Sequence, residues 1–251
     1  PIIPVIADLI KLHPGTISLG QGVVAYGPPE SVLSHVREID MQDDFHLYSD
    51  VEGLPEMRNA IRQKVTRENQ INLDQGQHIL VTAGANMAFL HSIMSITDPG
   101  DEIILLRPYY FNHEMAVRMI DCKPVIVDTD ADFQPVLENI TAALTNRTRA
   151  IVTVSPNNPS GAVYPESVLT EINRLCRQHG IYHISDEAYE YFTYDGQRHF
   201  SPASLEHAAA HTISLYSLSK AYGFAGWRIG YMILPAQLGE AVRKIQDTNL
   251  I

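Results

Sequence analysis

A three-layer α/β/α fold on a seven-stranded, mostly parallel sheet is predicted from three observations. Seven short apolar runs recur along the chain, at residues 78–82, 102–106, 123–127, 149–154, 181–185, 212–216 and 229–234. Helical patterns separate most of them, the alternation expected of a largely parallel sheet covered on both faces. Several runs are followed at once by residues that carry chemistry, and ligand sites in open α/β sheets gather at those strand ends.

The elements follow in order. Residues 1–47 are rich in Gly and Pro, with Gly20, Gly22, Gly27, Pro28 and Pro29, and read as an irregular arm plus one helix at 31–39. The first run ends in Val81-Thr82-Ala83-Gly84-Ala85-Asn86 and opens a helix in which Met87, Leu90, Ile93 and Met94 recur at helical spacing. Unpaired N–H groups at that helix start, with a small residue allowing close approach, suit an anion. The run at 102–106 leads into Arg107-Pro108-Tyr109-Tyr110, an aromatic face at the same edge. The run at 149–154 leads into the Asn-Pro turn Asn157-Asn158-Pro159-Ser160-Gly161. A helix at 166–178 follows Pro165, aligns Val168, Leu169, Ile172, Leu175 and Cys176 on one face, and stops at Gly180. The run at 181–185 delivers Asp186-Glu187-Ala188-Tyr189, with the acid at a strand end. The sixth run delivers Ser217-Leu218-Ser219-Lys220, with Arg228 eight residues after the lysine, and the link to the seventh run is short on helix. A helix-like segment at 236–247 comes last.

A lysine among small hydroxyl residues, with an arginine and glycines close behind, offers an amine for a Schiff base beside a nest for a phosphate. Pyridoxal 5'-phosphate needs both. The planar fork of Arg228 matches a phosphate dianion bidentately. The guanidinium and a desolvated pocket would also depress the pKa of Lys220, as a nucleophilic amine requires.

These five segments, in this order, resemble the aminotransferases of class I and II, the pyridoxal-phosphate enzymes of fold type I. SLSKAYGFAGWRIG, residues 217–230, fits the lysine signature of that family along its whole length. The resemblance runs from about Ile17 to the end, and the chain closely resembles the branch that holds bacterial-type aspartate and kynurenine aminotransferases. It implies that Lys220 binds the cofactor as a Schiff base and shuttles the substrate's proton, and that Asp186 pairs with the pyridine nitrogen. Asn158 and Tyr189 would bond the phenolic oxygen, and Tyr110 would stack on the ring. Ala85, Asn86, Ser217, Ser219 and Arg228 would hold the phosphate. Tyr48 matches the tyrosine lent to the neighbouring subunit's phosphate, which implies a homodimer. The segment after Gly22 faces substrate in the family; here it reads Val23-Val24-Ala25-Tyr26-Gly27, where relatives commonly carry an aromatic-Pro-Asp-Phe sequence. The family's seventh strand runs antiparallel. Residues 48–251 would be the cofactor-binding large domain and residues 1–47 an arm belonging to the small domain. The C-terminal part of that small domain would lie outside this chain, which reads as a fragment.

The chemistry agrees with these residue types. A carboxylate beside the pyridine nitrogen keeps it protonated, so that the ring accepts the electron pair left by a departing α-proton. A stacked aromatic fixes the ring plane, which selects the bond that breaks.

Composition excludes other classes. The chain has 251 residues, 45% hydrophobic and 19% charged, ordinary for a globular α/β protein. A net charge of −11 argues against nucleic acid and anionic membranes as partners. No apolar run reaches the ~18 residues of a membrane span. Cys122 and Cys176 form no CxxC pair, so free thiols and a cytoplasmic location are expected. The 11 histidines show no HExxH spacing, and no metal site is expected. Two alternatives stand beside the aminotransferase: a same-fold carbon–sulfur β-lyase or other eliminating or decarboxylating enzyme, and a non-catalytic regulatory module of the same fold. The shared motifs do not separate the enzymes, and the acidic chain shows no DNA-binding domain of the kind a regulator needs.

Overall fold

A computed structural model describes residues 2–18, 22–39 and 47–250, without the side chains of residues 2 and 3. Part of the expected arm, including Gly20, lies outside the described residues. The seven strands are β1 (His78–Thr82), β2 (Glu102–Arg107), β3 (Lys123–Asp128), β4 (Thr148–Val154), β5 (Tyr182–Asp186), β6 (Thr212–Ser217) and β7 (Gly230–Leu234). Each lies within one residue of its expected bounds. They form one sheet in the order β1-β7-β6-β5-β4-β2-β3. Five neighbouring strands are parallel, while β7 runs antiparallel to both β6 and β1.

The strands are largely apolar on both sides because both faces of the sheet are covered. Alternate residues part to opposite sides. Ile103, Leu105, Ala150, Val152, Met232 and Leu234 pack with α4 (Ala85–Ile96), α5 (Phe111–Met119) and α8 (Gly239–Leu250). On the other face, Ile104, Leu106 and Ile151 pack on α6 (Leu137–Ala142) and α7 (Glu166–His179), and Ile79, Tyr231 and Ile233 on α3 (Pro55–Glu68). Gly180 ends α7 in the left-handed region at φ 65°, as its position after the periodic run predicts.

Two expectations change. The arm holds two helices, α1 (Ile2–Leu12) as well as α2 (Glu30–Glu38). The 11 residues of α1 are strongly apolar, enough to outweigh the early Pro4, which a first turn tolerates. In α4 the buried residues are Ala88, Phe89, His91, Ser92 and Ile93, so that of the stripe Met87, Leu90, Ile93 and Met94 only Ile93 is fully buried. Met87 and Leu90 instead line a groove of ≈ 620 Å³ shared with Met115 and Met119 of α5.

Polar groups penetrate this core. His183 on β5 is fully buried, with Nε2 2.9 Å from Thr153 Oγ1 and Nδ1 3.1 Å from the Asn173 amide nitrogen. The amide must donate, so Nδ1 accepts and Nε2–H donates to the hydroxyl: one neutral tautomer fits. Burial, and then His211, pull the His183 pKa down to about 3. His91 on α4 is buried with neither ring nitrogen partnered, and burial pulls it down to about 4.

Both histidines are depressed, so the unfolded chain binds protons that the native state refuses. Their contribution is complete above the unfolded value near 6.5 and is lost as pH falls below it, by about 2 kcal/mol each between pH 7 and pH 5. Urea unfolding across that range should show this loss, and His91→Leu should remove roughly half of it. A pH-independent midpoint would contradict the account.

Candidate active site

The reversal of β7 builds the site. β1 and β6 point the same way, so their C-terminal ends share an edge, and β7, running oppositely, begins there. Gly230 is the register partner of both Thr82 and Ser217. A Cβ on Gly230 would lie 2.7 Å from the Gly84 carbonyl carbon and from Tyr216 O, and 2.8 Å from Ala85 N. Only glycine permits so close an approach. It brings the start of α4, the Ser217–Lys220 turn and Arg228 into one cluster.

Within that cluster Gly84 caps α4 with φ 79°, and a Cβ there would stand 2.5 Å from Arg228 Nη2. Arg228 itself sits in the left-handed region at φ 56° and donates from Nη1 to Ser219 Oγ at 3.2 Å and to Ala225 O at 3.0 Å. Ser219 N–H donates to Ser217 Oγ at 3.1 Å. A helix start, two hydroxyls and a guanidinium converging in this way form an anion site.

Lys220 stands beside it, half-buried, its Nζ donating to Gly22 O at 2.7 Å and lying 5.4 Å from the centre of the Tyr189 ring. Burial first, and Arg228 second, lower its pKa. Asn158 Nδ2 donates to Tyr189 OH at 3.4 Å. Burial, with Asp186 and Tyr110 adding to it, pushes the Tyr189 phenol up to about 12. Asp186 is 5% exposed, with Oδ2 3.1 Å from His113 Nε2 and Oδ1 accepting the Ala188 N–H at 3.1 Å. Tyr110 meets the His113 ring edge-on at 5.3 Å and accepts a hydrogen bond from Asn112.

The structure thus gathers Ala85, Ser217, Ser219 and Arg228 around one nest, with Asn86 in the first turn of α4, and sets Gly22 and Tyr189 beside the lysine, with Asn158 bonded to Tyr189 and Asp186 close enough to act on it. Tyr48 stands apart, 91% exposed. One residue of the site, His113, is not signalled by the sequence, and the expected segment after Gly22 contributes Tyr26. His113 was missed because nothing local marks a histidine in a first helical turn as an acid's partner; its place three residues after Tyr110 is the available signal. Tyr26 donates from its hydroxyl to Ala221 O at 3.2 Å, and a Cβ on Gly223 would lie 2.7 Å from Gly27 C and O. Residues 22–27 therefore pack directly on the lysine turn.

Comparison with known proteins gives a consistent answer. Residues 14–251 match the family profile described as aminotransferase class I and II. Aromatic aminotransferase ISS1 of Arabidopsis thaliana is 37% identical over 98% of this chain and 63% of its own length. The aspartate/prephenate aminotransferase of Thermus thermophilus is 37% identical over 93% of this chain and 60% of its own. The structure of aspartate aminotransferase from Thermus thermophilus with maleate superposes with a TM-score of 0.90 at 35% identity, covering 98% of this chain and 65% of that one. The chain thus spans about 60% of the length of the curated relatives it matches.

The two glycines predict different failures. Gly230→Ala sets a Cβ against backbone, which cannot yield, and should cost about 3 kcal/mol in urea unfolding. Gly84→Ala presses on the end of a flexible side chain as well as on a left-handed φ. It should cost less stability and, by displacing Arg228, should weaken inorganic phosphate binding several-fold in calorimetry. Equal stability losses would refute the distinction.

Proposed function

The chain belongs to the class I and II aminotransferases, and from that premise we propose that its protein moves an amino group from an amino acid to a 2-oxo acid by ping-pong exchange, using pyridoxal phosphate bound at the Lys220 edge. Members of this family use that cofactor. One observation carries the reading: a lysine of lowered pKa, a buried carboxylate and a guanidinium beside a glycine-capped helix start converge at one sheet edge.

The residues fit the cofactor by their chemistry. The nest of Ala85, Asn86, Ser217, Ser219 and Arg228 offers donors to a dianion and no carboxylate, and Gly84 leaves room where any Cβ would press on the guanidinium. Bound there, pyridoxal phosphate supplies the electron sink that lets an amino acid's α-proton leave. Lys220 Nζ is the attachment point; burial and Arg228 lower its pKa, so the same nitrogen takes up and returns a proton more readily near neutrality. Asp186, oriented by His113 and the Ala188 N–H, would be the carboxylate that keeps the pyridine nitrogen of the bound cofactor protonated. Tyr189, with its phenol pushed up to about 12, keeps its hydrogen at neutral pH and acts with Asn158 as a donor. Tyr110 offers a ring face for stacking.

The reading extends to a homodimer in which exposed Tyr48 serves the neighbouring site, to residues 48–251 as the cofactor domain with 1–47 as an arm of the small domain, and to the cytoplasm. Among the described residues no helix is long and apolar enough to cross a membrane, and Cys122 and Cys176 are free and buried. Gly22, whose carbonyl holds Lys220, borders the substrate. The relatives' names point to aromatic amino acids, aspartate and prephenate as the first substrates to try.

Pyridoxal phosphate added to this chain should give a visible band that borohydride reduction fixes as a mass adduct on Lys220, and Lys220→Ala should give neither. A folded chain without a lysine-dependent band refutes the proposal. Because Arg228 lowers the lysine's pKa, Arg228→Gln should move borohydride trapping of unphosphorylated pyridoxal to higher pH. An unmoved profile would remove the electrostatic role of Arg228.

A further inference from the structure

Asp186 and Glu187 are consecutive yet face opposite sides of the sheet, as neighbours at a strand end must. Asp186 turns toward His113 of α5, whereas Glu187 turns to Tyr216 of β6 on the face covered by α3. The division continues in the turn that follows, closed by Glu190 N–H donating to Glu187 O at 3.0 Å. Tyr189 belongs to the Lys220 side, and Glu190 joins Glu187 behind it.

Behind the site the two carboxylates meet a dense set of donors. Glu187 has a fully buried side chain, and one oxygen, Oε2, accepts from His199 Nε2 at 2.8 Å, Ser201 Oγ at 2.5 Å and Tyr216 OH at 3.0 Å. Glu190 accepts from Lys64 at 2.5 Å and 2.6 Å and from Asn69 at 2.8 Å. Asn69 also donates to Ser201 at 2.8 Å, which links the two halves. Burial pushes the Glu190 carboxyl above its usual range, against the pull of Lys64 and Asn69.

Two simpler readings fail. The ligand atoms of Glu187, Glu190 and His199 lie within 4.8 Å of one another, a spacing that could suit a metal, but the Lys64 ammonium already supplies a cation against Glu190. Ser201 and His199 lie beside the acid, but the Ser201 hydroxyl and His199 Nε2–H both donate to the same Glu187 oxygen, so the ring nitrogen that faces the hydroxyl carries a proton and is no base for it. Nor is stability sufficient reason, since a buried ion pair gains little over well-packed apolar residues. What such a network does supply is a fixed position.

We propose that Glu187 and Glu190, clamped by His199 and Lys64, are positioning residues that hold Asp186 and Tyr189 in register with Lys220. This rests on the cofactor reading given above. Helix α3 is thereby tied to the catalytic turn through Lys64, and a small displacement of that turn is felt at the reacting atoms.

The test uses the chain of residues 1–251 with added pyridoxal phosphate and reads the pH midpoint of the lysine-dependent visible band. The groups facing Tyr189 are Asp186, Tyr110, Asn158 and Lys220, and all stay intact in His199→Gln and Lys64→Met. Each variant should move the midpoint by about half a unit, the scale of one weakened hydrogen bond, and the same substitution in a Tyr189→Phe background should move it by less than half as much. Should either variant unfold, Ser201→Ala removes only one bond into Glu187 and should give a smaller shift with the same dependence on Tyr189. Folded variants with an unmoved midpoint, or with equal shifts in both backgrounds, overturn the proposal alone. A native chain with no band overturns the cofactor reading and this proposal together.

Discussion

One close approach governs this molecule: the backbone of β7 at Gly230 lies against the backbone at Gly84, Ala85 and Tyr216, where no side chain fits. The contact exists because β7 is antiparallel between two strands that point together. Were it parallel, Arg228 would enter the sheet at the far edge, away from Lys220 and from the start of α4. Strand direction, more than any side-chain bond, therefore makes a nest from segments near residues 84, 219 and 228.

Local signals carried the strands. Runs rich in Val, Ile and Leu bounded by turns mark all seven within a residue, because a sheet buried on both faces favours apolar residues on both sides of each strand. Gly180 likewise marked its helix end. The stripe of Met87, Leu90, Ile93 and Met94 marks a helix and shares Ile93 with its buried face, but Ala88, Phe89, His91 and Ser92 fill the rest of that face. The glycines and prolines that follow α1 mask its short apolar run within a segment that is otherwise irregular in composition.

In the site, the residues after each strand were legible because strand ends are where chemistry gathers in such sheets. What stayed hidden was pairing across distance. Lys64 meets Glu190 across 126 positions, and no local pattern distinguishes either from a solvated surface charge. His113 and Asp186 are likewise joined only by the tertiary packing that lays α5 against β2 and β3. The interior is in this sense written twice: apolar residues in periodic runs that any window can see, and polar partners in pairs that only topology introduces.

The hydrogen bond from Lys220 Nζ to Gly22 O joins two matters that look separate. A nitrogen attached to a carbonyl compound no longer presents the same ammonium to the arm, so the grip on residues 22–27 and the occupancy of the lysine become one thermodynamic variable. By reciprocity, whatever loosens the arm makes the amine more available, and whatever captures the amine loosens the arm. The bond between the lysine and this segment thus couples the state of the amine to the hold on the arm through a single backbone oxygen.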